Sequence, residues 1–213
     1  MTGLFISFEG TEGGGKSTQI ALLADRLRAL HRSVRLLREP GGTPIGEEIR
    51  HTLKHSEANH AMTPEAELLL MNASRAQLVR EVIRPALASG ELVLCDRFYD
   101  STVAYQGYGR GLDLQRVQSV IDFAVGETRP TLTLLLHVPL AISEARRRAR
   151  LPESGRARDR MEEADRGFFE RVEAGYRAIA AGEPARVKWI DATRSQEEVS
   201  VAVWKQVEPL VPS

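Results

Sequence analysis

The sequence predicts an α/β domain built on a five-stranded, mainly parallel sheet flanked by helices, and three observations predict it. Short apolar runs of strand length recur along the chain. Amphipathic patterns at helical spacing fill the intervals between them. A glycine-rich segment ending in Lys16-Ser17 follows the first run and opens directly into a helical pattern. With 213 residues and 42% hydrophobic content, the chain can bury one ordinary core without disulfides. One domain is expected over 1–213.

The elements follow in order. Leu4–Glu9, Val34–Arg38, Leu92–Asp96, Leu132–Val138 and Val187–Asp191 read as strands. Ile20, Leu23, Ala24, Leu27 and Leu30 recur at helical spacing after the first of them. Leu68, Met71, Asn72, Arg75, Leu78, Val79 and Val82 do the same on a helix that Thr63-Pro64 opens. Phe168, Val172, Tyr176 and Ile179 mark a later helix, and Ser195 with Glu198 has capping-box spacing at the start of the last. Gly107–Gly111 (GYGRG) reads as a loop. Arg146–Arg160 holds seven arginines in fifteen residues around a proline and a glycine, and reads as a helix end, a mobile loop and a helix start.

Composition excludes several functions. Lys+Arg and Asp+Glu both number 29, so no overall basic charge draws the chain to nucleic acid. The single cysteine, Cys95, cannot build a disulfide framework and points to a reducing compartment. The start MTGLFISFEG lacks a signal-peptide pattern, and no apolar run approaches the roughly 20 residues that cross a bilayer. An intracellular protein with no membrane or nucleic-acid partner is expected.

Gly10-Thr11-Glu12-Gly13-Gly14-Gly15-Lys16-Ser17 fits GxxxxGK[ST] in the strand-to-helix context that gives the motif meaning. Its glycines let backbone N–H groups face phosphate oxygens, and the helix N-terminus adds its positive end. Lys16 then bridges the outer phosphates of a nucleoside triphosphate, and Ser17 offers an oxygen to Mg²⁺. Asp96 closes an apolar strand where P-loop proteins hold that ion through a carboxylate. Alone, it could equally be a strand-ending residue; beside a P-loop, the metal reading is preferred.

The only asparagines are Asn59 and Asn72, neither followed by lysine, so the guanine-reading NKxD of GTPases is missing. A small kinase remains, with the arginine cluster as a lid over about 147–160 that neutralises the transferring phosphoryl. The plainer account of that cluster is a solvated face or a nucleic-acid arm.

These residues resemble the bacterial-type thymidylate kinases almost from end to end. The marks are EGTEGGGKST at 9–18, REPGGTP at 38–44, AELLLMNASRAQLV at 66–79, DRFYDSTVAYQG at 96–107, RPTLTLLLHV at 129–138, DRME at 159–162 and IDAT at 190–193. The resemblance implies a P-loop kinase fold that moves the γ-phosphate of ATP to dTMP with Mg²⁺, in a cytoplasmic homodimer. By similarity, Gly10–Thr18 cradles ATP, with Glu12 in the loop, and Arg146, Asp191 and Thr193 flank adenine. Arg97, helped by Arg50, holds the dTMP phosphate beside Glu39 and Pro40. Ordinary readings compete here: Arg50 as a plain helix residue, Glu39 as the partner of a nearby arginine.

Arg75, Thr102 and Gln106 face thymine by the same similarity, Ser101 lines that pocket, and Tyr105 excludes a 2′-hydroxyl. Gly13 stands where some relatives carry an arginine, so the lid supplies the catalytic arginine: Arg160 by its DRxE context, or Arg156 or Arg158. Met71 replaces a phenylalanine that in relatives often stacks on the base. The rival expectations are a P-loop kinase for another nucleotide, and an NTP-dependent binding protein.

Overall fold

The computed structural model describes residues 3–146 and 165–211. Five strands form one parallel sheet: β1 (Phe5–Glu9), β2 (Val34–Arg38), β3 (Leu92–Asp96), β4 (Leu132–His137) and β5 (Val187–Asp191), in the order β2-β3-β1-β4-β5. Every pairing is parallel, with Phe5 opposite Val93 and Ile6 opposite Leu132. Apolar side chains on both sides of β1, β3 and β4 make this possible, because a parallel sheet is covered on both faces.

One face receives α1 (Lys16–Ala29) and α9 (Gln196–Val207), whose Ile20, Leu23, Leu27, Val199 and Val203 pack on Ile6, Phe8, Leu94 and Leu134. The other receives α3 (Pro64–Leu78) and α6 (Leu114–Val125), packed on Phe5, Val93 and Cys95. A third cluster joins α8 (Arg166–Gly182) to Tyr105, Leu135 and Val187.

Caps fall where the sequence put them. Thr63 accepts from Ala66 N–H with Pro64 in the first turn of α3, and Ser195 and Glu198 form a complete capping box on α9. The helix begun by α3 runs on through a π-helical stretch, Val79–Ile83, into α4 (Arg84–Ala88). Leu30 departs from its expected place. It caps α1 and lies 49% exposed, one step past the buried face.

The GYGRG segment also departs from expectation. After α5 (Tyr99–Thr102), residues Val103–Gly109 continue as a π-helix, so Gly107 and Gly109 are helical, and only Arg110 and Gly111 turn. The expected lid, with Arg156, Arg158 and Arg160, lies outside the described residues. Among the described residues no helix is long and apolar enough to cross a membrane.

Candidate active site

The site gathers at the carboxyl ends of β1 and β3, where parallel sheets place their ligands. The chain leaves β1 through Gly10, whose φ is 124° and where a Cβ would stand 2.2 Å from the Leu136 carbonyl oxygen. No side chain fits there. Gly13 and Gly15 also take positive φ, and α1 then starts at Lys16. The loop therefore presents backbone N–H groups and a helix N-terminus to the same space.

Lys16 folds back on this loop, donating to the carbonyls of Gly10 (3.0 Å) and Thr11 (3.1 Å). Burial, with the like charge of Arg97 nearby, lowers its ammonium to about 8. Ser17 Oγ donates to Asp96 Oδ2 at 3.1 Å across 79 residues of chain. A hydroxyl and a carboxylate so close are the hard oxygen donors Mg²⁺ takes alongside phosphates.

A helix, α7, is described over 140–146. From it Arg146 donates to the carbonyls of Gly13 (3.1 Å) and Ala192 (3.2 Å). Arg146 is thus brought to the same place as the Asp191–Thr193 turn, where Asp191 Oδ1 accepts from both the N–H and the hydroxyl of Thr193. Glu12 contributes its backbone carbonyl to Ser143 Oγ at 2.6 Å.

Arg97 follows Asp96 with a φ of 70°, a left-handed conformation that costs a non-glycine residue about 1–2 kcal/mol. Its Nη1 donates to Ser101 Oγ (3.0 Å) and Tyr176 OH (3.3 Å), and its Nη2 to Tyr105 OH (3.4 Å). The guanidinium also lies over the Tyr105 ring. Ser101, expected to line the base pocket, is thus brought to Arg97.

Behind them sits Glu9, fully buried. It accepts from Phe98 N–H (2.7 Å), Ser101 Oγ (2.5 Å) and Tyr176 OH (3.2 Å). Burial, with the charge of Asp100 adding to it, pushes its carboxyl up to about 7.

The REPGGTP segment forms a second wall. Arg50, on α2 (Pro44–Lys54), and Arg38 both donate to the Pro40 carbonyl, at 2.8 and 3.2 Å. Glu39 is buried and paired with Arg75, which reaches it through Nε (2.8 Å) and Nη2 (2.7 Å) and donates to Asn72 Oδ1 (2.8 Å). These bonds use three of the five guanidinium N–H groups. Burial still raises the Glu39 carboxyl, with Arg75 offsetting only part of it.

Met71, one turn before Arg75, is buried and belongs to none of the three hydrophobic clusters found among the described residues. Thr102 is buried. Gln106 donates to Glu67 Oε1 (2.8 Å), which Arg110 also grips.

Sequence reasoning missed Glu9, Tyr176, Glu67 and the Asp100–Arg186 pair. Arg186 meets both Asp100 oxygens at 2.7 and 2.8 Å and so pins the segment after Arg97 to the sheet. Glu9 carried a local signal, a carboxylate closing an apolar strand just before the glycine loop. Tyr176 carried none, because its helical spacing marks it only as core.

A family model described as thymidylate kinase matches residues 8–203. The chain belongs to the thymidylate kinase family. It is 49% identical to the thymidylate kinase of Syntrophotalea carbinolica over 205 residues, 94% of this chain and 93% of that protein. It is 46% identical to that of Synechococcus sp. over 209 residues, 98% and 96% of the two chains. The crystal structure of thymidylate kinase from Ehrlichia chaffeensis superposes with a TM-score of 0.79 at 30% identity, covering 97% of this chain and 100% of that one. The P-loop kinase fold expected of a family member is the fold described above.

Proposed function

We propose that this thymidylate kinase family member transfers the γ-phosphate of ATP to dTMP, giving dTDP. The observation that carries the reading is the Asp96-Arg97 step. Consecutive residues at the end of β3 offer a carboxylate bonded to P-loop Ser17 and a guanidinium for a second phosphate. Donor and acceptor phosphates are thereby held side by side. The acceptor is already an anion, so the chemistry needs positioning and charge neutralisation rather than a strong base.

In this reading Gly10–Thr18 cradles the ATP phosphates, and Lys16 swings from its loop carbonyls to the β/γ oxygens. Ser17 and Asp96 would hold Mg²⁺, which supplies charge neutralisation between the phosphates. Arg146 and the Asp191–Thr193 turn flank adenine. Arg97 takes the dTMP phosphate with Arg50 beside it, and Glu39 and Pro40 shape that wall. Arg75, Thr102 and Gln106 approach thymine, with Met71 against the ring. Tyr105 closes the space a 2′-hydroxyl would need. From the lid, Arg160 and Arg156 are proposed to reach the transferring phosphoryl.

A cytoplasmic homodimer completes the reading. Phe123 on α6 is 86% exposed and Leu69 on α3 58%, apolar side chains that a second copy could cover, and sedimentation of the protein tests it. For the activity, the test is a coupled assay with ATP, Mg²⁺ and a panel of nucleoside monophosphates. Strong preference for dTMP, including over its ribose counterpart, is expected; equal use of the panel would refute the assignment.

A further inference from the structure

We propose that Glu9 is a positioning residue for the transfer, orienting the hydroxyls of Ser101 and Tyr176 so that Arg97 is held ready for the acceptor phosphate. This rests on the reading of Arg97 as the ligand of that phosphate.

The argument starts from proton counting. Ser101 and Tyr176 each own one hydroxyl proton, and their oxygens are 3.0 Å apart, so either could donate to the other. Glu9 Oε2 lies 2.5 Å from Ser101 Oγ and 3.2 Å from Tyr176 OH. In its ionised form, which dominates above about pH 7, the carboxylate only accepts, so it draws both protons. Both hydroxyl oxygens are then left with lone pairs toward Arg97 Nη1, at 3.0 and 3.3 Å.

Arg97 is therefore held by neutral acceptors whose direction is set from behind. Its own φ of 70° shows that the surroundings, and not local preference, fix it there. Glu9 occupies a costly position for a carboxylate, fully buried, and its contacts are to groups that carry or follow Arg97. The three partners come from α5, its N-cap Phe98, and α8. The same carboxylate thus ties β1, the strand that feeds the P-loop, to the arginine of the acceptor side.

Glu9→Gln separates this role from simple packing. Phe98 N–H needs an acceptor, so the amide oxygen must stay on that side and the NH₂ must face the two hydroxyls. Donors then meet the hydroxyls, whose protons turn toward Arg97. The shape is kept and the polarity is reversed.

The experiment is steady-state kinetics with ATP–Mg²⁺ and varied dTMP on wild type, Glu9→Gln, Tyr176→Phe and the double variant, with thermal unfolding of each. Hydrogen bonds to charged groups set the scale, so kcat/KM for dTMP is expected to fall about 10- to 100-fold in Glu9→Gln. KM for ATP should stay within about threefold, far less than a factor of ten. Tyr176→Phe should cost less, and the double variant should lose less than the product of the two, since both changes break one network. Unchanged kcat/KM for dTMP in folded Glu9→Gln, equal damage to ATP, or simply multiplying effects would each overturn the proposal. If Glu9→Gln does not fold, unchanged kcat/KM in Tyr176→Phe overturns it alone. A wild-type protein that ignores dTMP would instead refute the underlying reading of Arg97.

Discussion

Arg97 and Arg75 stand on opposite walls of the same site, and their surroundings treat the positive charge in opposite ways. Arg97 spends its bonds on the hydroxyls of Ser101, Tyr176 and Tyr105, which are neutral. Asp96 and Glu9 act on its charge from nearby, but none of these bonds is to a carboxylate, so the guanidinium keeps positive charge for a ligand. Arg75 is buried against the Glu39 carboxylate at 2.7 and 2.8 Å and against Asn72, so its charge is cancelled while two N–H groups stay available. A phosphate needs net positive charge; a thymine ring needs donors without it. The difference suits the proposed reading, in which Arg97 takes the phosphate of dTMP and Arg75 its base.

The Arg97 wall also carries the stress. Arg97 has its unfavourable φ, the Lys16 ammonium is lowered to about 8 by burial, and the Glu9 carboxyl is raised to about 7. Each is held away from its preferred state by the rest of the fold. Lys16→Ala should lower kcat by about 10²- to 10³-fold, from loss of a donor aimed at developing charge. Its thermal midpoint should stay at or above that of wild type, because a disfavoured buried charge is removed. A kcat within tenfold of wild type in a coupled assay would break the phosphate half of the comparison.

The Arg75 wall should respond in the reverse sense. Arg75→Ala leaves Glu39 buried without its partner, a change that costs about 3–5 kcal/mol of stability. Arg97→Gly should cost much less, since glycine relieves roughly 1–2 kcal/mol of backbone strain, while nearly abolishing use of dTMP. Denaturant unfolding of the two variants checks this. Equal losses of stability would mean that the two arginines are not held differently after all.

How much of this was legible depends on how local the signal was. Strands and caps were legible because apolar runs, Thr63-Pro64 and the Ser195/Glu198 spacing act within a few residues. Glycine ordinarily marks a turn, so the sequence predicts a loop at Gly107 and Gly109, which are helical. Here it marks close approach: a Cβ on Gly109 would stand 2.6 Å from Phe168 Cε2 and 2.9 Å from Val172 Cγ2 of α8. The site divides along the same line. The P-loop and the Ser17–Asp96 pair follow from a motif and a strand end. Tyr176 joins Glu9 across 167 residues, and only the packing of α8 on Val103–Gly109 brings it there.

The stressed wall also predicts a pH dependence. Because the folded Glu9 carboxyl titrates near 7, above the usual carboxylate range, the native state binds its proton more readily than the unfolded chain. That contribution to stability is complete below about 4.5, the ordinary glutamate value, and is lost as pH rises to about 7. Glu9→Gln cannot titrate, so the stability of wild type minus that of the variant should fall across this window by on the order of 3 kcal/mol. Glu39 is raised in the same direction but is present in both proteins and cancels. Lys16, lowered to about 8, acts above the window. A flat difference curve would show that Glu9 is not held in a charge-disfavouring site.

The smallest expected effect lies at Met71, on the neutral wall. Met71 is buried yet outside the three hydrophobic clusters of the described residues, one helical turn from Arg75. If it covers the base, its sulfur–ring contact is worth about 0.3–1.5 kcal/mol. A phenylalanine at the same position would gain a similar amount by offset stacking. The two nearly cancel, so Met71→Phe should change dTMP affinity by no more than about tenfold, the factor that 1.4 kcal/mol sets. Met71→Ala leaves a void against the ring and should weaken dTMP binding clearly more. ATP affinity should hardly move in either variant, since the P-loop is built from separate residues between β1 and the start of α1. Titrating both variants with dTMP and ATP decides it. Wild-type dTMP affinity in Met71→Ala would show that this side chain does not touch the base, and the neutral wall would then rest on Arg75 and its partners alone.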